Sequence, residues 1–541
     1  MFLFTSMKIY LTGMILCVLV SKPVTSQDLI PVPTILGNSI ANLHADQETI
    51  WVGPHLNLSS DGGQSWGVVN SDSLAGLKNT VYSIDIEGNV IWVGLGDSNR
   101  QRSGGGRGST IHQTAGLLNS MDGGLTWNYI SYFPRQSEDP TTTGLLDFPD
   151  DTLVVYGDNK LWSIAATVPE LSPPWDIDYD QNTGDVWVAS QVAGLRKSSD
   201  NGQTWKRIVL PPDTSKFISP DLDIDFPFFS LSEPAGITPV DFRGYNFLTY
   251  SVLVDELGTV WVGTLGGLNI SDDGGRSWKH LTAQDGLLGN VIFSIEEQAR
   301  PSLPPAIWFA HRSGAATSEA FESQGISVTR DRGETFEHAL YGHECFDFAF
   351  DWPSVYVACE TGGLFISRDD GSTFTSINQF QSNQSTFVSL NNLEVLSVAL
   401  TNGILWVGTN DGLFRSMDGA HTWNRFRANV PLNPSGLPPI VSPEQVPEVS
   451  TYAYPNPFSP YSDGIVRIRY DLETTEQVAV RIFDFGMKLI RTIVNESQSQ
   501  GIQEVVWNGT DDSGIHLANG PYFYEVKTQN DRFMGKILIV H

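Results

Sequence analysis

An eight-residue pattern, Ser/Thr-x-Asp-x-Gly-x-Ser/Thr-Trp/Phe, recurs seven times between residues 59 and 423, and no other feature limits the possible folds so sharply. Four copies end in tryptophan: Ser59 to Trp66, Ser120 to Trp127, Ser198 to Trp205 and Ser271 to Trp278, with central acids Asp61, Asp122, Asp200 and Asp273. Three looser copies follow around Asp331, Asp369 and Asp418. Two of these end in Phe336 and Phe374, and the last, ending in Trp423, has Ala420 where the others keep a glycine. A carboxylate between two hydroxyl residues can accept hydrogen bonds from the amides of its own turn. Glycine supplies the positive φ that other residues resist, and the aromatic anchors the turn.

A second motif precedes nearly every copy: Ile50-Trp-Val-Gly53, Ile91-Trp-Val-Gly94, Val186-Trp-Val-Ala189, Val260-Trp-Val-Gly263, Ile307-Trp-Phe-Ala310, Val355-Tyr-Val-Ala358 and Leu405-Trp-Val-Gly408. Each reads as a short strand ending in a small residue, with another strand and turn upstream. The repeating unit is therefore strand, turn, Trp-Val-Gly strand, third strand, acidic turn, fourth strand. Four antiparallel strands repeated at such intervals predict an all-β chain, a β-propeller whose radial packing hides sheet edges. Seven turns predict seven blades. The hairpin-like pair within residues 144–165, which lacks the acidic turn, leaves eight blades as the alternative.

The turn closely resembles the Asp-box (BNR) repeat of sialidases and sortilin-type receptors. That resemblance implies a structural role for the seven aspartates and for Trp66, Trp127, Trp205, Trp278 and Trp423, between the third and fourth strands and away from the usual ligand face. The stretch Val260 to Leu268, followed by Asp285-Gly-Leu-Leu-Gly-Asn290, also resembles the propeller repeat in periplasmic sensor regions of two-component regulators. Calcium loops place carboxylates at alternate positions more densely than these turns do. No metal or cofactor site is expected.

Residues 1–26 read as a secretory signal. Lys8 supplies the charge, Ile9 to Val20 the apolar core, and Val24-Thr-Ser26 the cleavage region. The apolar run is too short to span a bilayer, and no later segment is long enough, so no membrane span is expected. Cys345 and Cys359 lie on two strand-like stretches joined by the turn at Asp351 to Ser354. Export permits a disulfide. Strict pairing across the turn is off by one residue, which leaves either a disulfide or two buried thiols. His338 and His343 have ligand-like spacing, but the cysteines lack the close pairing usual in zinc folds.

The chain carries a formal net charge of −29. Residues 451–541, with 11 acidic and 8 basic side chains, hold little of it, so the excess lies on the repeats. Such a field opposes nucleic acid and anionic lipid. Six prolines between residues 430 and 450 read as an extended spacer, with domain boundaries at 27–430, 431–450 and 451–541. The tail has the alternation of a small Ig-like β-sandwich. Its landmarks Tyr454-Pro-Asn-Pro-Phe458, Ile482-Phe-Asp-Phe-Gly486, Trp507-Asn-Gly-Thr-Asp511 and Gly520-Pro-Tyr522-Phe-Tyr524 resemble the C-terminal sorting domain of type IX secretion cargo, and equally the Ig-like domain of the flagellar hook-capping protein. The resemblance implies export through the periplasm to the cell surface or medium, with the secretion machinery as a partner.

A sialidase reading finds little support, because no Arg-Ile-Pro precedes the first repeat and residues 38–65 contain no arginine. Paired carboxylates could still make another secreted glycoside hydrolase. A recognition role, with a glycan or protein ligand, rests on loops expected on the face opposite the acidic turns. The glycine-rich insertion with Arg100, Arg102 and Arg107 could grip an anion or pair with surface acids. His311 and Arg312 open a second insertion. Phe228, Phe229 and Tyr245 belong to a third, and all three are expected on one face.

Overall fold

The computed structural model describes residues 29–32, 34–46, 48–69, 80–101, 109–130, 153–157, 159–162, 172–222, 244–313, 323–378, 380, 394–427, 450–454, 456–460 and 465–540. The signal segment, Arg102, Arg107, Phe228, Phe229 and most of the proline-rich spacer lie outside the described residues, as does the side chain of Arg100.

The described chain is all-β. Each Trp-Val-Gly strand is second in an antiparallel sheet. The third sheet, for example, is Pro174–Asp180, Asp185–Ser190, Gly194–Ser198 and Lys206–Arg207, paired in sequence order. The first strands of the successive sheets are Leu43–Asp46, Thr80–Glu87, Pro174–Asp180, Thr249–Val254, Val291–Gln298, Cys345–Asp351 and Val395–Thr401. Two sheets gain a fifth strand that sequence periodicity did not indicate. Leu29–Val32 pairs with Trp66–Val69, and Phe217–Ile218 with Trp278–Leu281. The Leu153–Tyr156 and Asn159–Trp162 hairpin forms a sheet of its own. It is tied down by Tyr156, whose hydroxyl donates to the Arg276 carbonyl at 2.7 Å.

Each apolar cluster sits between two neighbouring sheets. Trp51 and Trp127 join the first to the second, and Trp187 and Val262 the third to the fourth. Tyr356 and Trp423 join the sixth to the seventh. Ile40, Trp66, Trp406 and Leu413 then join the last described sheet back to the first. Backbone bonds reinforce that closure: the Ile40 amide donates to the Thr409 carbonyl at 2.8 Å and the Gly412 amide to the Asn38 carbonyl at 2.6 Å. The arrangement is propeller-like, with the first strand of every sheet innermost.

All seven acidic turns share one hydrogen-bond set. In the first, Asp61 Oδ1 accepts from the Ser59 hydroxyl at 2.8 Å and the Ser65 amide at 2.9 Å, while the Ser65 hydroxyl donates to Oδ2 at 2.5 Å. Burial alone would raise the Asp61 carboxyl. Bonds from Ser65 and Ser59 outweigh it and hold the group at about 2. At Asp122 and Asp331 the bonds from Thr126 and Thr335 are themselves the largest influence.

The two motifs interlock across sheet boundaries. A Cβ on the second glycine of a turn would lie 2.9 Å from Trp51 at Gly124, 2.7 Å from Trp187 at Gly275 and 2.4 Å from Trp308 at Gly371. The six turns that keep this glycine therefore rest against the indole of the preceding sheet. Ala420, with φ 77°, replaces that glycine only where the preceding sheet offers Tyr356 instead of tryptophan, and it packs against the same apolar cluster as that ring.

Cys345 and Cys359 form a disulfide and are directly paired in register. The one-residue mismatch counted across their turn is absorbed by a β-bulge between Cys345 and Asp347.

Residues 451–540 fold as a sandwich. A three-stranded sheet of Thr451–Tyr454, Val466–Leu472 and Gly501–Trp507 faces a four-stranded one of Leu489–Gln498, Glu476–Phe483, Gly520–Lys527 and Arg532–Ile539. Val466, Ile468, Val480, Trp507, Tyr524 and Ile537 fill the space between them.

Candidate functional site

Strand direction fixes which end of the ring carries what. Each inner strand starts at the end bearing the connections between sheets and the loops joining second to third strands. The acidic turns lie at the other end. The start of nearly every inner strand carries a β-bulge that leaves one residue unpaired. The bulged residues are Tyr82, Trp175, Tyr250, Phe293, Phe346 and Leu396. Five consecutive sheets thus place an aromatic at the same position around one mouth of the ring.

These rings form a connected arc. Centroids lie 5.3 Å apart for Tyr82 and Trp175, 5.9 Å for Trp175 and Tyr250, and 4.2 Å for Tyr250 and Phe293. At one end the Tyr82 hydroxyl is 2.7 Å from His112 Nδ1, and the His112 ring is 5.2 Å from Trp175. At the other, the Arg312 guanidinium stands 4.6 Å over Phe293 and 5.7 Å over Phe346 and pairs with Glu344. Burial lowers His112, which leaves it neutral, and raises the Tyr250 hydroxyl to about 12 against the opposing pull of Arg312. The Trp175 indole N–H is buried without a partner.

At four of the six bulges the residue that follows, Ser83, Asp176, Asp347 or Ser397, fastens its sheet to the next, and Asn42 does the same for the first sheet. Ser83 Oγ donates to the Pro174 carbonyl at 2.8 Å, Ser397 Oγ to the Ile40 carbonyl at 3.0 Å, and Asn42 Nδ2 to the Val81 carbonyl at 2.8 Å. Asp176 and Asp347 accept from the Val252 and Val398 amides, each at 2.9 Å. An inner strand is a sheet edge, so every second amide on it faces the axis unpaired. For Tyr179, Val252, Val254 and Val398 the preceding sheet supplies the acceptor. These contacts also explain the glycine of the Trp-Val-Gly strand: a Cβ at Gly94, Gly263 or Gly408 would lie 2.2–2.3 Å from the hydroxyl of Ser83, Ser251 or Ser397.

Below the arc, the inner strands of four sheets bring carboxyls toward the axis. Asp85 accepts from the Tyr179 amide at 2.7 Å and Asp178 from the Val254 amide at 3.2 Å. The surface they retain faces the axis rather than bulk water. That withdrawal is the main influence raising Asp85, Asp176 and Asp347 to about 7. It also raises Asp178 and Glu296, helped by repulsion among the same acids. His44, on the first inner strand, is lowered to about 4 by burial.

Among the residues singled out from sequence, Arg312 belongs to the arc. Its neighbour His311 is fully buried, with Nδ1 2.9 Å from the Gly289 carbonyl, and burial lowers it to about 3, so it faces the sheet interior and not the mouth. Tyr245 stands in a short turn, Tyr245–Phe247, its amide held by Asp213 at 2.9 Å. His338 and His343 contact Ser327 and the Thr361 carbonyl, respectively. The arc itself escaped sequence reading. Its signal is an aromatic followed by Ser or Asp, the aromatic lying 12–17 positions before the small residue of the Trp-Val-Gly strand.

Solved structures with similar folds include PorZ, a surface component of the type IX secretion system of Porphyromonas gingivalis. It is 15% identical over 93% of this chain and 66% of that one, with a TM-score of 0.38, so this chain spans just under two thirds of PorZ. The GH74 enzyme of Niastella koreensis is 12% identical over 95% and 75%, with a TM-score of 0.44. YCF48 bound to a D1 peptide is 14% identical over 72% and 94%, with a TM-score of 0.40. Likenesses at this level carry no argument about ligand or activity. No curated protein matches the chain. Residues 461–532, within the C-terminal sandwich, match the FlgD Ig-like domain family.

Proposed function

We propose that the chain is an exported, non-catalytic recognition protein in which a seven-bladed propeller, residues 27–430, binds a glycan or protein ligand on its aromatic arc. A spacer at 431–450 joins it to a C-terminal domain, 451–541, that acts in sorting to the cell surface or medium. The observation that carries the binding reading is the arc of Tyr82, Trp175, Tyr250, Phe293 and Phe346. A bulge at the same point of successive strands costs ladder pairing each time, and aromatic surface is what those bulges present at the mouth. The blade count is supported by apolar clusters linking each described sheet to the next and the last to the first. The disulfide supports an oxidising compartment, and the FlgD-type match supports the sorting reading of the tail.

A secreted glycoside hydrolase is the second reading, favoured by acids near the axis that titrate close to neutrality. Against it, Asp85, Asp176, Asp178 and Asp347 are each engaged by an amide of the next sheet. Purified full-length protein on glycan and peptide arrays, with a parallel assay for released sugar, tests both. Binding that is lost on Trp175→Leu without turnover is the expected result. Sugar release would replace the recognition reading with the hydrolase, and silence in all three would remove it.

A further inference from the structure

We infer that the aromatic arc receives a cationic side chain, an ammonium or guanidinium group presented by a basic peptide segment. This deepens the recognition reading above and rests on it.

Three observations select a cation. First, the arc already holds one: the Arg312 guanidinium lies over the faces of Phe293 and Phe346 and is neutralised by Glu344. The rings are therefore spaced to accept a planar cation, and Tyr82, Trp175 and Tyr250 continue the same surface. Second, most polar side chains beside the rings are occupied, the Trp175 N–H and the Ser251 hydroxyl being exceptions. Asn42, Ser83, Asp176, Asp347 and Ser397 each bridge to the next sheet. A sugar stacked on the arc would find few free groups to fix its several hydroxyls, whereas a cation needs only π faces and a favourable field. Third, the inner walls below the rings are acidic. The seven inner strands carry no Lys or Arg, and Asp85, Asp176, Asp178, Glu296 and Asp347 lie one to three positions beyond the bulges along the same strands. Burial holds these carboxyls up, Asp85, Asp176 and Asp347 to about 7, so above that pH, or with a cation seated beside them, they ionise and favour a cation over carboxylate, sulfate or phosphate ligands.

The test titrates full-length protein at pH 8 with acetyl-(Gly-Arg)4-amide, with acetyl-(Gly-Gln)4-amide of equal length, and with a panel of neutral oligosaccharides, at two salt concentrations. The arginine peptide is expected to bind and the glutamine peptide not to. Phe293→Leu and Asp176→Asn, each verified as folded by its thermal melt, should each weaken binding by about tenfold. Arginine-peptide binding that both variants leave unchanged is general attraction to an acidic surface and overturns the inference. Absence of arginine-peptide binding overturns it too. If a neutral oligosaccharide or the glutamine peptide then binds and is lost on Trp175→Leu, the arc remains a recognition site and only the cation assignment falls. If no probe binds, both fall.

Discussion

Arg427, just beyond the last strand of the ring, is bonded to Glu504 on the Ig-like domain. The contact belongs to a box of four charges to which each domain gives one acid and one arginine. Asp411 pairs with Arg427 at 2.9 Å within the ring and also with Arg467 of the sandwich, while Arg467 lies 3.5 Å from Glu504. All four are nearly buried, with side chains 3–10% exposed, and the Tyr454 hydroxyl donates to Glu504. Burial would raise Glu504, but the three arginines Arg427, Arg425 and Arg467 outweigh it and hold it ionised. Asp411 lies in the turn between second and third strands, at the same end of the ring as the aromatic arc.

The box holds the sandwich against the end that carries the aromatic arc, and because each domain keeps an internal pair, separation strands no charge alone. Glu504→Gln removes one cross pair and leaves Arg427 short of a partner, a loss of about 3 kcal/mol or more to the docked arrangement. Small-angle scattering should show a larger radius of gyration for the variant, and protease should cut more readily within residues 428–449. Unchanged scattering and cleavage would mean that other contacts hold the domain.

The seat of six acidic turns on the preceding indole predicts opposite outcomes for two glycine–alanine exchanges. Gly371→Ala puts a methyl 2.4 Å from Trp308 at a residue with φ 85°, and should destabilise by about 3 kcal/mol from overpacking and left-handed strain together. Ala420→Gly relieves the strain at φ 77° and should be neutral or stabilising by up to about 1 kcal/mol. Equilibrium denaturation of both variants checks the sign of each.

The acidic turns and Trp-Val-Gly strands were legible because their chemistry is local: Ser59, Asp61, Gly63 and Ser65 satisfy one another within one turn. The arc was not, because a bulge adds one unpaired residue that no alternation of apolar and polar residues reveals. The bulge at Phe346 both supplies an arc residue and brings Cys345 opposite Cys359, so one feature hid the site and obscured the disulfide. The charge box joins segments 77 residues apart whose individual charges look like ordinary surface groups.

Ring closure concentrates on few atoms. A Cβ at Gly408 would lie 2.2 Å from Ser397 Oγ and 2.4 Å from the Ile40 carbonyl oxygen, the two groups that join the last described sheet to the first. Gly408→Ala should therefore loosen this seam before any other. Hydrogen exchange at the Ile40 and Gly412 amides, which donate across it, should accelerate relative to amides between the third and fourth sheets. Uniform protection across the ring would contradict the assignment.

Two sets of carboxylates impose opposite pH dependence, and their balance places maximum stability in mild acid. The turn aspartates are held low, Asp61 at about 2, so the folded chain releases those protons before the unfolded chain does. Their contribution is present above about 4, the unfolded value, and is lost as pH falls toward the folded one. Asp85, Asp176 and Asp347 are raised to about 7 by withdrawal from water. Between about 4 and 7 the folded chain therefore holds protons that the unfolded chain has lost, and stability falls as pH rises through that window. Thermal melts at fixed ionic strength should peak near pH 4–5 and decline toward pH 8. Asp176→Asn keeps an acceptor for the Val252 amide but cannot ionise, so it should melt above the parent at pH 8 and close to it at pH 5. A variant that parallels the parent at every pH would show that Asp176 is ionised in the folded chain and that the decline comes from the outer surface instead.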